Sequence, residues 1–238
     1  MSDSAITIPE LRTTFIAAIE AAGGALHDQF EDAERLLIRA TLPWMADVRP
    51  DDPIQGGVAM RTTLHEAVVL PYIVRKVCVN GAIAPQAVET QRVARLHELP
   101  AAVARERVRE AVELSARRDF FAKFTSDVRA TVGGELLNPP SMLIALLREQ
   151  SRSANGPEFV AAFTTIYAKL TRGRDHSRFG LMNAITAIAR DTRDPDTRWR
   201  LEELGGAVAA RRLPTAPRLG AAAAAVRIVE EERVGARG

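Results

Sequence analysis

Three observations predict an α+β fold, a small antiparallel β-sheet of about three strands followed by a mainly helical region. Leu36, Ile38, Ala40 and Leu42 alternate with Arg35, Leu37, Arg39 and Thr41, a period near two. Five later segments carry apolar residues three and four apart, the period of a helix with one buried face. Glycine, proline and asparagine pairs punctuate these segments. The 238 residues suffice for one continuous core. We divide them into an N-terminal helix within 1–24, a single α+β core domain over 25–210 and a C-terminal tail over 211–238.

The first helix is read over Ile8 to Ala22, where Leu11, Phe15, Ile16 and Ile19 share a face, Pro9 suits an early helical position and Gly23-Gly24 stops the run. The alternating stretch then forms a strand ending at Pro43, with Trp44 in a loop. Asp47 to Pro53, with two prolines and three aspartates, reads as a turn. Gly57 to Thr62 and Glu66 to Leu70 read as two strands joined tightly. Pro71 opens a segment in which Ile73 and Val77, and Val74 and Cys78, are four apart. It reads as a short helix closed by Asn80-Gly81 in a left-handed cap, with a strand as the alternative because β-branched residues are abundant. Helices are then expected over Gln86 to Leu99, Pro100 to about Val132, Ser141 to Arg152, Pro157 to Thr171 and Arg178 to Arg190. The alanine-rich tail beyond Pro214 and Pro217 reads as a docked or fraying terminal helix.

Hydrophobic residues at 47% and charged residues at 26% exclude a wholly disordered or collagen-like chain. No apolar run approaches the roughly 20 residues of a membrane span, and Met1 to Glu10 lacks a secretory signal, so a cytoplasmic protein without membrane contact is expected. The single cysteine, Cys78, agrees with a reducing compartment and reads as a small buried hydrophobe. Charge is uneven. Residues 1–66 carry a net −6, whereas 67–129 and 130–238 each carry +4. Of 32 basic residues only Lys76, Lys123 and Lys169 are lysine, so arginine, with its phosphate-matching fork, dominates.

No GxxxxGK[ST] or GxGxxG loop is present. His27, His65, His97 and His176 lie far apart and read as solvated surface residues, and the carboxylates Glu31, Asp32, Glu34, Asp51 and Asp52 read as turn residues. No catalytic set, metal site or cofactor is predicted. Arg105, Arg107 and Arg109, with Arg117 and Arg118, interleave with Glu106, Glu110 and Glu113 as a salt-bridged helix face. One basic group is denser. Arg172, Arg174, His176 and Arg178 directly precede a predicted helix start, where free amides and the helix dipole favour an anion. Arg172, Arg174 and Arg178 are therefore the candidate nucleic-acid-binding residues.

The runs DVRPDDPIQGGVAMRTT and LPYIVRKVCVNGAI, and the later RFGLMNAITAIA, resemble the phage- and plasmid-associated family called domain of unknown function 932, over about Leu36 to Ala210. The residues that carry the resemblance are Arg49 to Asp52, Gly56, Gly57, Pro71, Arg75, Val77, Cys78, Asn80 and Gly81, then Asn183 to Thr186. Ala187, Ile188 and Ala189 stand where that family often has acidic and aromatic residues. The resemblance implies a mobile-element context and names no reaction. Two functions are expected from these readings. The first is a non-enzymatic nucleic-acid-binding protein that binds or anneals single-stranded DNA, self-associating into a homo-oligomer, with arginines tracking phosphates. The alternative is a protein-protein interaction or assembly protein with no nucleic-acid contact.

Overall fold

A computed structural model describes residues 5–63, 65–84, 91–133, 136–150 and 157–210, with the side chains of 149–150 and 157–159 left aside. The expected tail helix lies outside these residues. Helix α1 (Ile8–Ala21) starts in a capping box: Thr7 Oγ1 accepts from the Glu10 amide, and Glu10 Oε2 accepts from the Thr7 amide at 2.9 Å. Six strands follow in one antiparallel sheet: β1 (Ala25–Glu31), β2 (Arg35–Asp47), β3 (Pro53–Thr63), β4 (Glu66–Arg75), β5 (Asn80–Ile83) and β6 (Arg92–Ala94). Strands β1 to β5 lie side by side in chain order, and β6 pairs with the start of β4 beside β5. Helices α2 (Ala101–Ser115), α3 (Arg118–Arg129), α4 (Pro139–Gln150), α5 (Pro157–Gly173), α6 (Arg178–Asp191) and α7 (Pro195–Ala209) complete the chain. The α+β class holds, and the sheet has six strands in place of the expected three, five of them side by side.

The differences have physical causes. Strand β2 continues through Pro43 and Trp44 because Pro43 sits in the register irregularity between Thr41 and Met45, where no ladder donor is needed. The stretch after Pro71 is strand, turn and strand, not helix. Pro71 pairs with Val58, and its carbonyl accepts from Ala84 on the other side, beyond the last β5 pair, so the missing N–H removes no bond to β3. Gly81 is accordingly an extended strand residue, and the left-handed residue of the turn is Val79, at φ 53°. Residues 91–99 form β6 and a single 3-10 turn instead of helix: Val93 is buried between exposed Arg92 and Ala94, a period of two, and Arg95 at φ 56° breaks the chain direction. Residues 85–90 of that predicted helix lie outside the described residues. The long helix expected from Pro100 is two, broken at extended Arg117, because the two pieces cover different halves of one sheet face.

That face bears Leu36, Ile38, Ala40, Leu42, Val58, Met60 and Val69, packed under α1 and α2, and continues as Ile54 and Ile73 under α3 and α6. Gly56 permits the second contact, since a Cβ there would lie 2.8 Å from the Phe121 ring. The opposite face bears Leu37, Arg39, Leu70, Tyr72 and Val74, covered by α7 through Trp199. No element is expected over α7 from the sequence. Its start is marked by Asp194, whose side chain accepts from the Thr197 amide, with Pro195 at the first position. Arg39 and Glu202, 2% and 1% exposed, meet between β2 and α7 at 2.7 Å. Arg198 joins Glu202 at 3.2 Å and Asp28 at 2.8 Å. Burial pushes the Glu202 carboxyl up, against the pull of both arginines.

Glu202→Ala leaves Arg39 buried with only a 3.4 Å contact to Asp28, and should cost about 3 to 5 kcal/mol in denaturant unfolding. The double variant Arg39→Met with Glu202→Leu should recover most of that loss, since an apolar pair of similar volume carries no desolvation penalty. A single-variant cost below about 1 kcal/mol would show that the pair does not hold α7 to the sheet.

Candidate anion pocket

The turn from Lys76 to Val79 joins β4 to β5 and projects Cys78 beside the end of α5 and one face of α6. Together with Arg49 from the β2–β3 turn, these segments enclose a concavity of about 350 Å³. Its walls include Arg49, Arg75, Lys169 and Arg190, four cations from four separate segments, and Asn80 and Asn183. Several of the residues that carry the resemblance therefore meet in space: Arg49, Arg75, Cys78, Asn80 and Asn183 in the wall, with Asp52 bonded to both arginines.

Asp52 anchors the arginines. It is 4% exposed and accepts two bonds from Arg75, Nη2 to Oδ2 at 2.7 Å and Nε to Oδ1, and a third from Arg49 Nε at 3.1 Å. Burial pushes its carboxyl up, but the hydrogen bonds and charges of Arg75 and Arg49 outweigh that and hold it below its ordinary value. Both guanidinium groups lie over the buried Phe179 ring, at 4.3 Å for Arg49 and 5.2 Å for Arg75, so the aromatic face adds to their fixation. Arg75 Nη1 also donates to Cys78 Sγ at 3.0 Å. Cys78 is thus a half-buried wall residue rather than a fully buried core thiol. On the far wall, Arg190 Nη1 donates to the Cys78 carbonyl at 2.9 Å and ties the turn to α6. That bond helps hold Val79 in a left-handed conformation rare for a β-branched residue, with Val77 and Val79 both exposed at the tip. Asn80 Oδ1 and Asn183 Oδ1 are buried without a hydrogen-bond partner among the described residues.

The three arginines singled out in the sequence do not form one cluster. Arg172 lies in the last turn of α5, three residues after Lys169 and next to the wall residue Gly173. Arg174, at φ 54°, stands between Gly173 and Asp175, both in the wall. Arg172 and Arg174 are exposed and pair with no carboxylate among the described residues, which places two charges at the rim. Arg178 is half-buried and donates from Nη2 to the Val208 carbonyl at 2.8 Å, joining α6 to α7. Nor is the start of α6 an open anion seat. The Phe179 amide donates to Thr131 O and the Gly180 amide to Ser177 Oγ, while Asp175 Oδ1 accepts from the Ser177 amide. Spacing alone found the rim arginines. It missed Arg49, Arg75, Lys169 and Arg190, which are up to 141 positions apart in the chain and meet only through the tertiary fold.

Two further sequence readings can be set beside the structure. The expected pairing on the α2 face holds for Arg109, which meets Glu106 and Glu113; Arg105 pairs with Glu10 of α1, Arg117 with Asp119, and Arg107 and Arg118 make no ion pair among the described residues. Among the described residues no group of three or more metal-ligating side chains occurs, and no helix is long and apolar enough to cross a membrane. No protein-family model matches the chain, and neither a curated protein nor a solved structure is significantly similar to it.

Asp52→Asn should destabilise the fold by about 3 kcal/mol at pH 7, because two guanidinium groups lose their shared counter-charge. The folded carboxyl titrates below the unfolded one, so its contribution is complete above about pH 4 and is lost as pH falls through the lowered value. Wild type should therefore show a steeper acid-side decline in urea midpoint than Asp52→Asn, which keeps only the decline due to the other lowered carboxyls such as Asp32, Asp119 and Asp194. On the opposite sheet face, a Cβ on Gly81 would overlap the Tyr72 hydroxyl and lie 2.5 Å from two ring carbons. Gly81→Ala should cost about 2 to 3 kcal/mol through overpacking, and less in a Tyr72→Phe background. Additive effects of the two substitutions would contradict that contact.

Proposed function

We propose that the protein binds single-stranded nucleic acid without sequence preference, seating one phosphate group in the pocket and neighbouring phosphates on its rim. The observation that carries this reading is the convergence of Arg49, Arg75, Lys169 and Arg190 on one concavity, with exposed Arg172 and Arg174 extending the positive surface past its edge. A small anion needs only the pocket. Charges outside it suit a polymer that repeats the same anion. The pocket's aromatic residue, Phe179, is fully buried under the guanidinium groups, so base stacking has no platform there and phosphate contacts carry the affinity. Arg178, bonded to α7, supports the wall in this reading. The chemistry is binding alone, and the resemblance to the mobile-element family, also a proposal, is compatible with it.

The test is a titration of labelled single- and double-stranded DNA at several salt concentrations. Tight binding at low salt and a steep linear decline of log affinity with log salt are expected. Lys169→Gln, Arg172→Gln and Arg174→Gln remove cations that make no ion pair among the described residues, so the triple variant should fold normally. It should flatten the salt slope by about 2, from roughly 0.7 per lost contact on a single strand, equally for all sequences. Absence of binding at low salt, or an unchanged slope in the folded triple variant, would overturn the proposal.

A further inference from the structure

At the opposite end of β4 from the pocket, two residues 32 positions apart in sequence bring imidazole rings together. His65 stands in the β3–β4 turn and His97 in the 3-10 turn after β6. The backbone sets both: the Leu96 amide donates to the His65 carbonyl at 2.9 Å, the His65 amide to Thr63 Oγ1 at 3.2 Å, and left-handed Arg95 turns the chain just before the 3-10 turn. The two Nδ1 atoms are 3.4 Å apart. A proton on one of them makes only a long hydrogen bond to the other at that distance. Two nitrogens held at about 2.0 to 2.1 Å from one tetrahedral ion, however, are separated by about 3.3 to 3.4 Å. The ring centroids, 4.9 Å apart at 90°, also fit rings that radiate from a shared ion, for which about 5 Å is expected.

We propose that His65 and His97 form a two-imidazole site for a borderline divalent cation of the zinc type, bound through both Nδ1 atoms. Imidazole suits such ions better than magnesium or calcium. Ligation at Nδ1 leaves the proton on Nε2, and His97 Nε2 lies 3.6 Å from Glu98 Oε1, a distance that a small rotation of the exposed carboxylate closes. A carboxylate behind a ligating histidine is the usual device for fixing its tautomer and raising its basicity. The other charged groups around the pair are Glu66, bridged to Arg92 at 3.6 Å, and Arg95, bridged to Glu98 at 3.2 Å. No third ligand joins them among the described residues, so the remaining coordination positions fall to water or to the same pair on a second copy of the chain.

Isothermal titration of chelator-stripped protein with Zn²⁺, repeated with Co²⁺ under visible absorption, tests the site. Saturable uptake with Co²⁺ bands shifted from those of the aquo ion is expected, weakened at least tenfold by His65→Gln and by His97→Gln. Glu98→Gln should weaken it about tenfold, as loss of an outer carboxylate usually does. His176→Gln should leave it unchanged. Light scattering with metal separates the two completions: an unchanged mass means solvent, and a doubled mass with one ion per two chains means a second copy, and either supports the site. Because the residues are exposed turn positions, the variants should keep wild-type unfolding midpoints. No saturable uptake, or uptake that neither histidine variant weakens, would overturn the proposal.

Discussion

The buried ion pair between Arg39 and Glu202 is the contact on which the arrangement of the second sheet face and the pocket depends. An arginine in the middle of β2 has no acidic partner within its own sheet face except Asp28 at 3.4 Å, so covering it without a counter-charge would be prohibitive. Glu202 supplies that charge from α7, and Trp199 one turn earlier lies with its ring 5.6 Å from the Arg39 guanidinium. The helix axis is then fixed against the sheet. Gly206 lies directly on the Ile83 carbonyl of β5, where any side chain would overlap backbone, and Gly205 lies against Thr186 of α6. Arg178 completes the link by bonding the Val208 carbonyl. A polar interaction thus selects the register of α7, and α7 in turn sets where α6 presents Asn183 and Arg190.

A second buried carboxylate repeats this logic at the pocket. Asp52 holds Arg75 and Arg49, and Phe179 lies beneath both, so two long side chains that would otherwise sample many rotamers are fixed before any ligand arrives. Preorganisation of this kind lowers the entropic cost of binding an anion. It also consumes part of the charge: Asp52, Asp175 and Asp191 offset three of the four wall cations, leaving the unpaired residues Lys169, Arg172 and Arg174 to supply the net attraction. The wall would orient a phosphate, while the rim would supply most of the long-range pull.

What could be read from the sequence follows from interaction range. Helix α1 was legible to within a residue because its signals, Pro9, the apolar face of Leu11, Phe15 and Ile19, and the Gly23-Gly24 stop, are all local. So were the pairs of Arg109 with Glu106 and Glu113 on α2. Strand β1 was not, since an edge strand with half-exposed residues carries little alternation, and β6 was hidden by Val93 and Leu96, whose spacing of three mimics a helix. Pro43 and Pro71 misled for the same reason: whether a proline ends a strand depends on which neighbour its missing donor faces, which is a property of the sheet. Helix α7 had a readable start at Asp194-Pro195, but Gly205 and Gly206 weaken its propensity, and it persists because tertiary contacts override that cost. The pocket needed contacts between segments more than a hundred residues apart. Its rim could be found by counting arginines, and its floor could not.

Arginine in this chain therefore plays separable physical roles that composition merges. Arg39 and Arg198 are structural charges matched by buried or half-buried carboxylates, and their removal acts on stability. Arg105, Arg109 and Arg117 are solvated and paired on exposed surfaces, where an ion pair contributes little. Arg49 and Arg75 are fixed on one side by Asp52 and open to a cavity on the other, so they couple fold and ligand. Arg172 and Arg174 are exposed and make no ion pair among the described residues, so they are costly to neither fold nor packing. A pI near 9 would be equally compatible with any of these distributions. What distinguishes a binding surface from a merely basic protein is which cations lack an internal carboxylate, and among the described residues those at the mouth of the α5–α6 pocket are gathered in one place.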